Sequence, residues 1–338
     1  MTAKNPIKTP LTPLDSRLFD KYQVKVWIKR DDLNHPTVQG NKWHKLKYNL
    51  QQARKMNKTT LLTFGGAYSN HIVATAAAAN HMGFKSIGFI RGDELANHPE
   101  KWSHTLKTAA ANGMQLQFIN RQDYRQKSDE NTLKNLQLQF PQAYILPEGG
   151  TNDLAVLGFD DLMTETTQQC PDWTHLFTAT GTGGTLAGLV HASQNLTPKI
   201  TPKITPQSNT KSENKTKTLS RHILGVAVLK NADYLIPQIQ NLIYSASQKK
   251  YHNDVNPNQT LPVNWRLLTQ YHGGGYAKQS SESRQFQTEF ESQFSILLDP
   301  IYTNKMVYAF YQELIKGNIK PGSNIILLHT GGLQGRTR

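Results

Sequence analysis

Residues 28–32 read Ile-Lys-Arg-Asp-Asp and residues 40–46 read Gly-Asn-Lys-Trp-His-Lys-Leu, and this pair of segments decides how the rest of the chain is read. A short charged strand comes first, a glycine-bearing loop follows, and Lys42 is delivered where that loop gives way to a helical stretch. A turn, not a periodic face, places this lysine. Two further glycine loops share the strand-to-helix setting. Residues 65–71, Gly-Gly-Ala-Tyr-Ser-Asn-His, join an apolar run to an alanine-rich stretch, and residues 180–185, Thr-Gly-Thr-Gly-Gly-Thr, open a helix near Leu186. Successive backbone N–H groups in such a turn converge on an anion, and the helix dipole adds to their pull. The 180–185 loop lacks the Lys-Ser/Thr end of a P-loop and the acidic partner of a dinucleotide fingerprint. A phosphate without a nucleotide suits it best.

Outward from these loops, apolar runs at 60–64, 86–90 and 114–119 alternate with helical stretches, which is the βαβ rhythm of a parallel sheet. A helix is expected over 70–82, with Ser69 as its N-cap and Gly83 past its end. A second series carries expected strands at 174–180, 223–229, 295–298 and 324–329, with helices at 186–193 and 305–316. The fold class expected is α/β, with two open parallel-sheet domains and a cleft between them.

Composition narrows the function. A chain of 338 residues with 37% apolar and 9% aromatic content suits two globular domains. No run of eighteen apolar residues occurs, so a membrane-spanning helix is not expected. The first fifteen residues lack the apolar core of a secretory signal, and the single cysteine, Cys170, cannot form an intramolecular disulfide. A cytoplasmic location is expected. The net charge of +14 raises nucleic acid as a partner. Five lysines against one glutamate fall in 197–220, which reads as a disordered surface insertion, and no RNP, zinc-finger or helix-turn-helix signature organises the rest. Nucleic acid is therefore not an expected partner, and no metal site is expected.

The ordered motifs KRDD…GNKxxKL, GGAYSNH and GTGGT resemble the fold type II pyridoxal 5'-phosphate (PLP) enzymes of the 1-aminocyclopropane-1-carboxylate (ACC) deaminase and D-cysteine desulfhydrase family, which are tryptophan synthase β-like. Matches run from about Lys29 to Gly332. The resemblance implies a large PLP-binding domain from 1–47 and 158–338, a small domain from 48–157, and PLP between them. It makes Lys42 the Schiff-base lysine, whose depressed pKa burial and the neighbours Lys45 and Lys47 would favour. It gives Thr180, Gly181, Thr182, Gly183, Gly184 and Thr185 to the cofactor phosphate. Ser69 and the N–H groups of Asn70 and His71 would hold the substrate carboxylate, Asn70 would also bond the PLP ring oxygen, and Ser69 would assist proton transfer.

On the same resemblance Tyr276, in HGGGYAK, and Tyr302, in LDPIYTNKM, stand at the substrate as catalytic phenols. Thr303 and Thr330 occupy positions where the deaminases carry glutamate and leucine, and threonine marks the desulfhydrase-like branch. A hydroxyl at the pyridine nitrogen cannot hold a proton there as a carboxylate would, which suits β-elimination better than cyclopropane opening. The chain departs from the family at His44 and Val73, where arginine is common. The activity implied is β-elimination on a small amino acid, D-cysteine foremost, giving pyruvate, ammonia and hydrogen sulfide. ACC deamination to 2-oxobutanoate and ammonia is the alternative, with a non-catalytic PLP- or polyanion-binding protein as a third. A homodimer is expected from the family.

Overall fold

Ten strands run through the described residues of the computed structural model, which are 8–194, 196, 219–250, 263–333 and 336. In chain order they are β1 (Leu11–Pro13), β2 (Lys25–Lys29), β3 (Thr60–Gly65), β4 (Lys85–Arg91) and β5 (Met114–Ile119). There follow β6 (Ala143–Ile145), β7 (His175–Thr180), β8 (His222–Ala227), β9 (Asn264–Leu268) and β10 (Asn324–Leu328). One sheet has the order β1-β2-β10-β7-β8-β9, and a second has β5-β4-β3-β6. Only the β1–β2 pairing among them is antiparallel. The insertion expected at 197–220 lies outside the described residues save for Leu219 and Ser220.

Parallel strands buried on both faces need apolar residues at consecutive positions, each neighbour serving a different core. Ile325 and Leu327 of β10 pack with Phe177 and Phe310 on one face, while Ile326 and Leu328 pack with Leu176 and Leu186 on the other. The smaller sheet divides in the same way, with Leu61 on one side and Leu62 and Phe64 on the other. The helix Asn41–Lys55 presents Leu46, Leu50 and Ala53 to the core containing Leu61, one apolar stripe at helical spacing. Its other faces are free to carry Lys42 and Lys45 towards the gap between the sheets.

The alanine-rich helix runs Asn70–Met82, with Ser69 accepting the N–H of Ile72 and Gly83 closing it at φ +75°. Helices Gly184–Ser193 and Thr303–Ile315 begin two residues earlier than expected, because each starts directly at its loop. The strand expected at 295–298 is absent. Ser295 caps the preceding helix in the left-handed region at φ +55°. Side chains then take the backbone groups a ladder would use: Glu291 accepts the Leu298 N–H, Gln287 and Arg336 donate to the Leu298 carbonyl, and His329 Nε2 meets the Leu297 carbonyl. An apolar run without free backbone groups cannot join a sheet.

Lys29, fully buried at the end of β2, is anchored by the Thr9 carbonyl at 2.7 Å, Gln169 Oε1 at 2.8 Å and a salt bridge to Glu165. Burial lowers its pKa, and Glu165 opposes that shift. Glu165→Gln is expected to leave an uncompensated buried charge and cost about 3–5 kcal/mol. Urea unfolding measures it, and a loss below about 1 kcal/mol would show that Thr9 and Gln169 suffice.

Candidate active site

Adjacent parallel strands release their carboxyl ends on one side of a sheet, where ligands bind in open α/β folds. Here β2, β10 and β7 are neighbours, so residues 30–42, 329–332 and 181–185 leave the large sheet side by side. On the smaller sheet, β3 leads into 66–71, β4 ends on Arg91, and β6 leads to Glu148. These segments line one cleft of about 560 Å³, which holds Lys42, Ser69, Asn70, His71, Thr180 to Thr185, Tyr276, Tyr302 and Thr330. Among the expected site residues Thr303 alone is not on the cleft wall. It is fully buried at the start of its helix, with Oγ1 unpartnered.

The first motif works as a buttress. Gly40 has φ +62° and ψ −142°, a conformation open essentially to glycine alone. Asn34 holds it from both sides, donating to the Gly40 carbonyl at 3.0 Å and accepting the Gly40 N–H at 2.9 Å. Asp31 Oδ1 in turn accepts from Asn34 at 3.0 Å and lies 3.0 Å from His44 Nε2. Asp32 takes a two-pronged contact from Arg30. The Asn41 N–H donates to the Thr330 carbonyl, tying the lysine loop to the end of β10.

Lys42 opens onto the cleft, with Nζ donating to Asn41 Oδ1 at 3.1 Å. Desolvation lowers its pKa to about 8, and the charge of Asp299 opposes the fall. Lys45 is buried one turn on, donating to the Gly149 carbonyl and Thr151 Oγ1 at 3.0 Å each. Burial, then Lys42, hold its pKa well below the usual lysine value. Lys47, expected to add to the cationic surroundings, instead pairs with Asp161 at 2.7 Å. The helix turns it away from the cleft, since it falls on another face than Lys42 and Lys45.

The 180–185 loop has the shape of an anion cradle. Gly183 adopts φ +80°, and a Cβ on Gly184 would lie 2.7 Å from Thr151 Oγ1 and 3.0 Å from Lys45 Nζ, so both backbone and amine approach the same space. Thr182 shares a 2.5 Å hydrogen bond with Thr151, and Thr185 Oγ1 accepts from Asn41 at 2.8 Å, leaving its own proton to donate. Thr180 keeps its hydroxyl unpartnered against Gly225, so it offers backbone to the cleft. A glycine-rich helix start beside a buried amine fits a phosphate dianion, and Lys42 within the same cleft fits the aldehyde of PLP.

On the opposite wall, Ser69 caps its helix and His71 is buried, with Nε2 2.8 Å from Thr63 Oγ1. Desolvation, Lys42 and Lys45 hold His71 neutral by lowering its pKa well below the imidazole range. Tyr302 donates to the Tyr276 hydroxyl at 3.4 Å, and Tyr276 donates to the Tyr68 carbonyl at 3.2 Å. Burial pushes the Tyr276 phenol up to about 12 and raises that of Tyr302 well above the usual tyrosine value, so both phenols are proton donors at neutral pH. Three groups were not singled out from the sequence: Asp299, Arg91 and Glu148. The DPxY turn signalled Tyr302 but not its own aspartate, and Arg91 and Glu148 reach the cleft only through strand order. Among the described residues no cluster of three or more potential metal ligands occurs.

Comparisons with known proteins point to the same cofactor. The family model described as "Pyridoxal-phosphate dependent enzyme" matches residues 3–331. A Thermotoga maritima protein, provisionally named 1-aminocyclopropane-1-carboxylate deaminase, is 29% identical over 94% of this chain and 92% of its own. The Arabidopsis thaliana protein named "Bifunctional D-cysteine desulfhydrase/1-aminocyclopropane-1-carboxylate deaminase, mitochondrial" is 28% identical over 92% of this chain and 73% of its own. A crystal structure described as an ACC deaminase homologue superposes with a TM-score of 0.76 at 26% identity, covering 98% of this chain and 91% of that one. With two parallel sheets, a lysine and an anion cradle meeting in one cleft, the chain belongs to the pyridoxal-phosphate dependent enzymes, as a fold type II member that uses PLP.

Proposed function

We propose that this protein catalyses PLP-dependent β-elimination on a small amino acid, D-cysteine foremost, releasing pyruvate, ammonia and hydrogen sulfide. The observation that carries this choice is Thr330 on the cleft wall with Thr303 buried at the next loop, two neutral hydroxyls where cyclopropane opening would call for glutamate and leucine. The second reading is ACC deamination to 2-oxobutanoate and ammonia, which the relatives' names favour as much. The relative in Arabidopsis carries both activities in its name.

In this reading Lys42 holds the cofactor covalently, and residues 181–185 with Lys45 hold its phosphate. Bound PLP supplies the electron withdrawal that acidifies the substrate Cα–H. Lys42, whose amine opens onto the cleft with a pKa of about 8, would take that proton near neutral pH. Ser69 with the N–H groups of Asn70 and His71 orients the substrate carboxylate at a helix N-terminus. Tyr276 and Tyr302 remain protonated and face the departing group as donors. The proposed domain division at 47/48 and 157/158 is supported by β3 to β6, which form the smaller sheet between those bounds, although the first bound falls within the helix Asn41–Lys55. A homodimer, checked by light scattering, completes the reading, and the free, buried Cys170 is compatible with a reducing cytoplasm. No helix among the described residues is long and apolar enough to cross a membrane.

Keto-acid release from D-cysteine, L-cysteine and ACC, offered side by side to PLP-loaded protein, tests the choice. D-cysteine alone supports the desulfhydrase reading, and ACC alone replaces it with the second. Thr303→Glu combined with Thr330→Leu should lower D-cysteine kcat/KM by about tenfold or more, the worth of one hydrogen bond to a charged or polar ring atom, and raise ring opening. Thr330→Leu by itself guards against misfolding around a buried glutamate. An unchanged ratio of the two activities in both variants would remove the threonines as discriminators.

A further inference from the structure

Asp299 lies in the turn before the helix Thr303–Ile315 at 1% exposure. Its Oδ1 accepts the N–H of Tyr302 at 2.6 Å and of Ile301 at 3.1 Å. The Thr303 N–H and the side chain of Asn70 also donate to this carboxylate. Gly332 packs so close that a Cβ there would lie 3.0 Å from Asp299 Cγ and Oδ2, and 2.6 Å from Asn70 Nδ2. One carboxylate thus joins the Tyr302 loop, the start of the Asn70 helix and the turn that follows Thr330. Tyr302, Asn70 and Thr330 line the cleft with Lys42.

A helix cap needs backbone donors only, and Asp299 has three of them. Asn70 is a further partner, brought from the other sheet, and capping does not require it. The bond also fixes the Asn70 carboxamide, since one Nδ2 proton committed to Asp299 leaves Oδ1 and the second proton to face elsewhere. We propose that Asp299 is a positioning residue for the reaction, holding Asn70 and the Tyr302 loop in register across the cleft while its negative charge balances the Lys42 amine. The inference rests on Lys42 being the cofactor-binding lysine.

The electrostatics are consistent with that geometry. Burial raises the Asp299 pKa to about 7 although four hydrogen bonds pull it down. Asp299 is in turn the group that opposes the lowering of Lys42 and of Lys305, both held near 8. Tyr276 and Tyr302 face it from the remaining loops, and its charge adds to the rise of both phenols. Lys305 donates to the Gly275 carbonyl at 2.7 Å, so the second cation near Asp299 is fixed on the Tyr276 loop. A carboxylate favours the charged form of a neighbouring amine. Removing it should therefore make Lys42 lose its proton at lower pH.

The test uses cofactor-free protein, full length, and follows the rate at which it captures PLP from neutral to alkaline pH. Capture needs the unprotonated amine, and because the ionisations of PLP itself are common to every variant, the shift of the midpoint from the wild-type value, expected near 8, reports the change at Lys42. Asp299→Asn keeps the shape of the side chain and removes its charge; the midpoint should fall by about one pH unit. A purely structural cap would lower the melting temperature or the yield without moving the midpoint. Should Asp299→Asn fail to fold, Asn70→Ala leaves the carboxyl in place and strips its side-chain donor. Asp299 then ionises less readily, and the midpoint should fall in the same direction by a smaller amount. A midpoint that stays at the wild-type value in the soluble variant overturns the proposal. A wild-type protein that captures no PLP would overturn the cofactor reading together with it, so the two failures are distinct.

Discussion

Lys42→Ala is expected to lose the visible absorption of the lysine-bound cofactor and at least about 10⁴-fold of turnover, because one amine is used twice. In the proposed reaction it attaches the cofactor and then moves the proton at the substrate Cα. Neither role has a ready substitute. Lys45 lies close enough for Lys42 to lower its pKa, yet its amine is committed to the Gly149 carbonyl and Thr151 and, in the proposed reading, to the cofactor phosphate. The fold should not suffer, since Lys42 faces the cavity and packs no core. Circular dichroism and the urea midpoint should match the wild type while absorbance and keto-acid release vanish. Turnover within about tenfold of wild type would mean that another group is the base.

Gly40→Ala should have the second largest effect, and it acts without touching any chemical group. A methyl on this residue would lie 2.0 Å from the Thr330 carbonyl oxygen, 2.3 Å from its carbon and 2.7 Å from the Gly331 nitrogen. These are backbone atoms and cannot rotate aside. The backbone angles of Gly40 are also ones that alanine rarely adopts, at a cost of about 1–3 kcal/mol. Relief requires the lysine loop to part from the 330–332 turn, carrying Lys42 with it. A displacement of about 1 Å is worth about 10²-fold in kcat. Urea unfolding and kcat should both fall, with absorbance of the bound cofactor shifted or weakened. Wild-type kcat in a protein destabilised by the expected amount would show that Lys42 is placed by its helix and not by Gly40.

The parts of this protein that were legible in its sequence are those fixed locally. The Asn70–Met82 helix declares itself through Ser69 and Gly83, because an N-cap hydroxyl and a left-handed glycine are local requirements. The three glycine loops could be placed for the same reason, each with a strand before it and a helix after it. Residues 295–298 were misleading because Ser-Ile-Leu-Leu has the composition of a buried strand, while Glu291, Gln287, His329 and Arg336 decide its backbone bonding from elsewhere in the chain. Short strands such as β1 and β6 carry too few residues for an alternating pattern.

The site divides along the same line. Lys42, Ser69, Asn70 and the 180–185 loop lie in motifs, and all of them meet in the cleft. Asp299 could not be found that way, since its partner Asn70 comes from the other sheet and its near neighbour Gly332 from the last turn. Lys47 shows the converse error: proximity in sequence to Lys42 suggested a shared field, but helical geometry sends it to Asp161. Thr303 and Thr330 looked equivalent as hydroxyls, and both are buried, but only Thr330 lines the cleft while Thr303 sits in the packed start of a helix.

The most direct measurement is borohydride reduction of the PLP-loaded protein, followed by peptide mapping of the cofactor. Attachment at Lys42, with loss of that label when Lys42 is replaced, is the expected result. Stoichiometric labelling of Lys45 or of any other lysine, with residue 42 unmodified, would contradict the assignment on which the proposed chemistry stands.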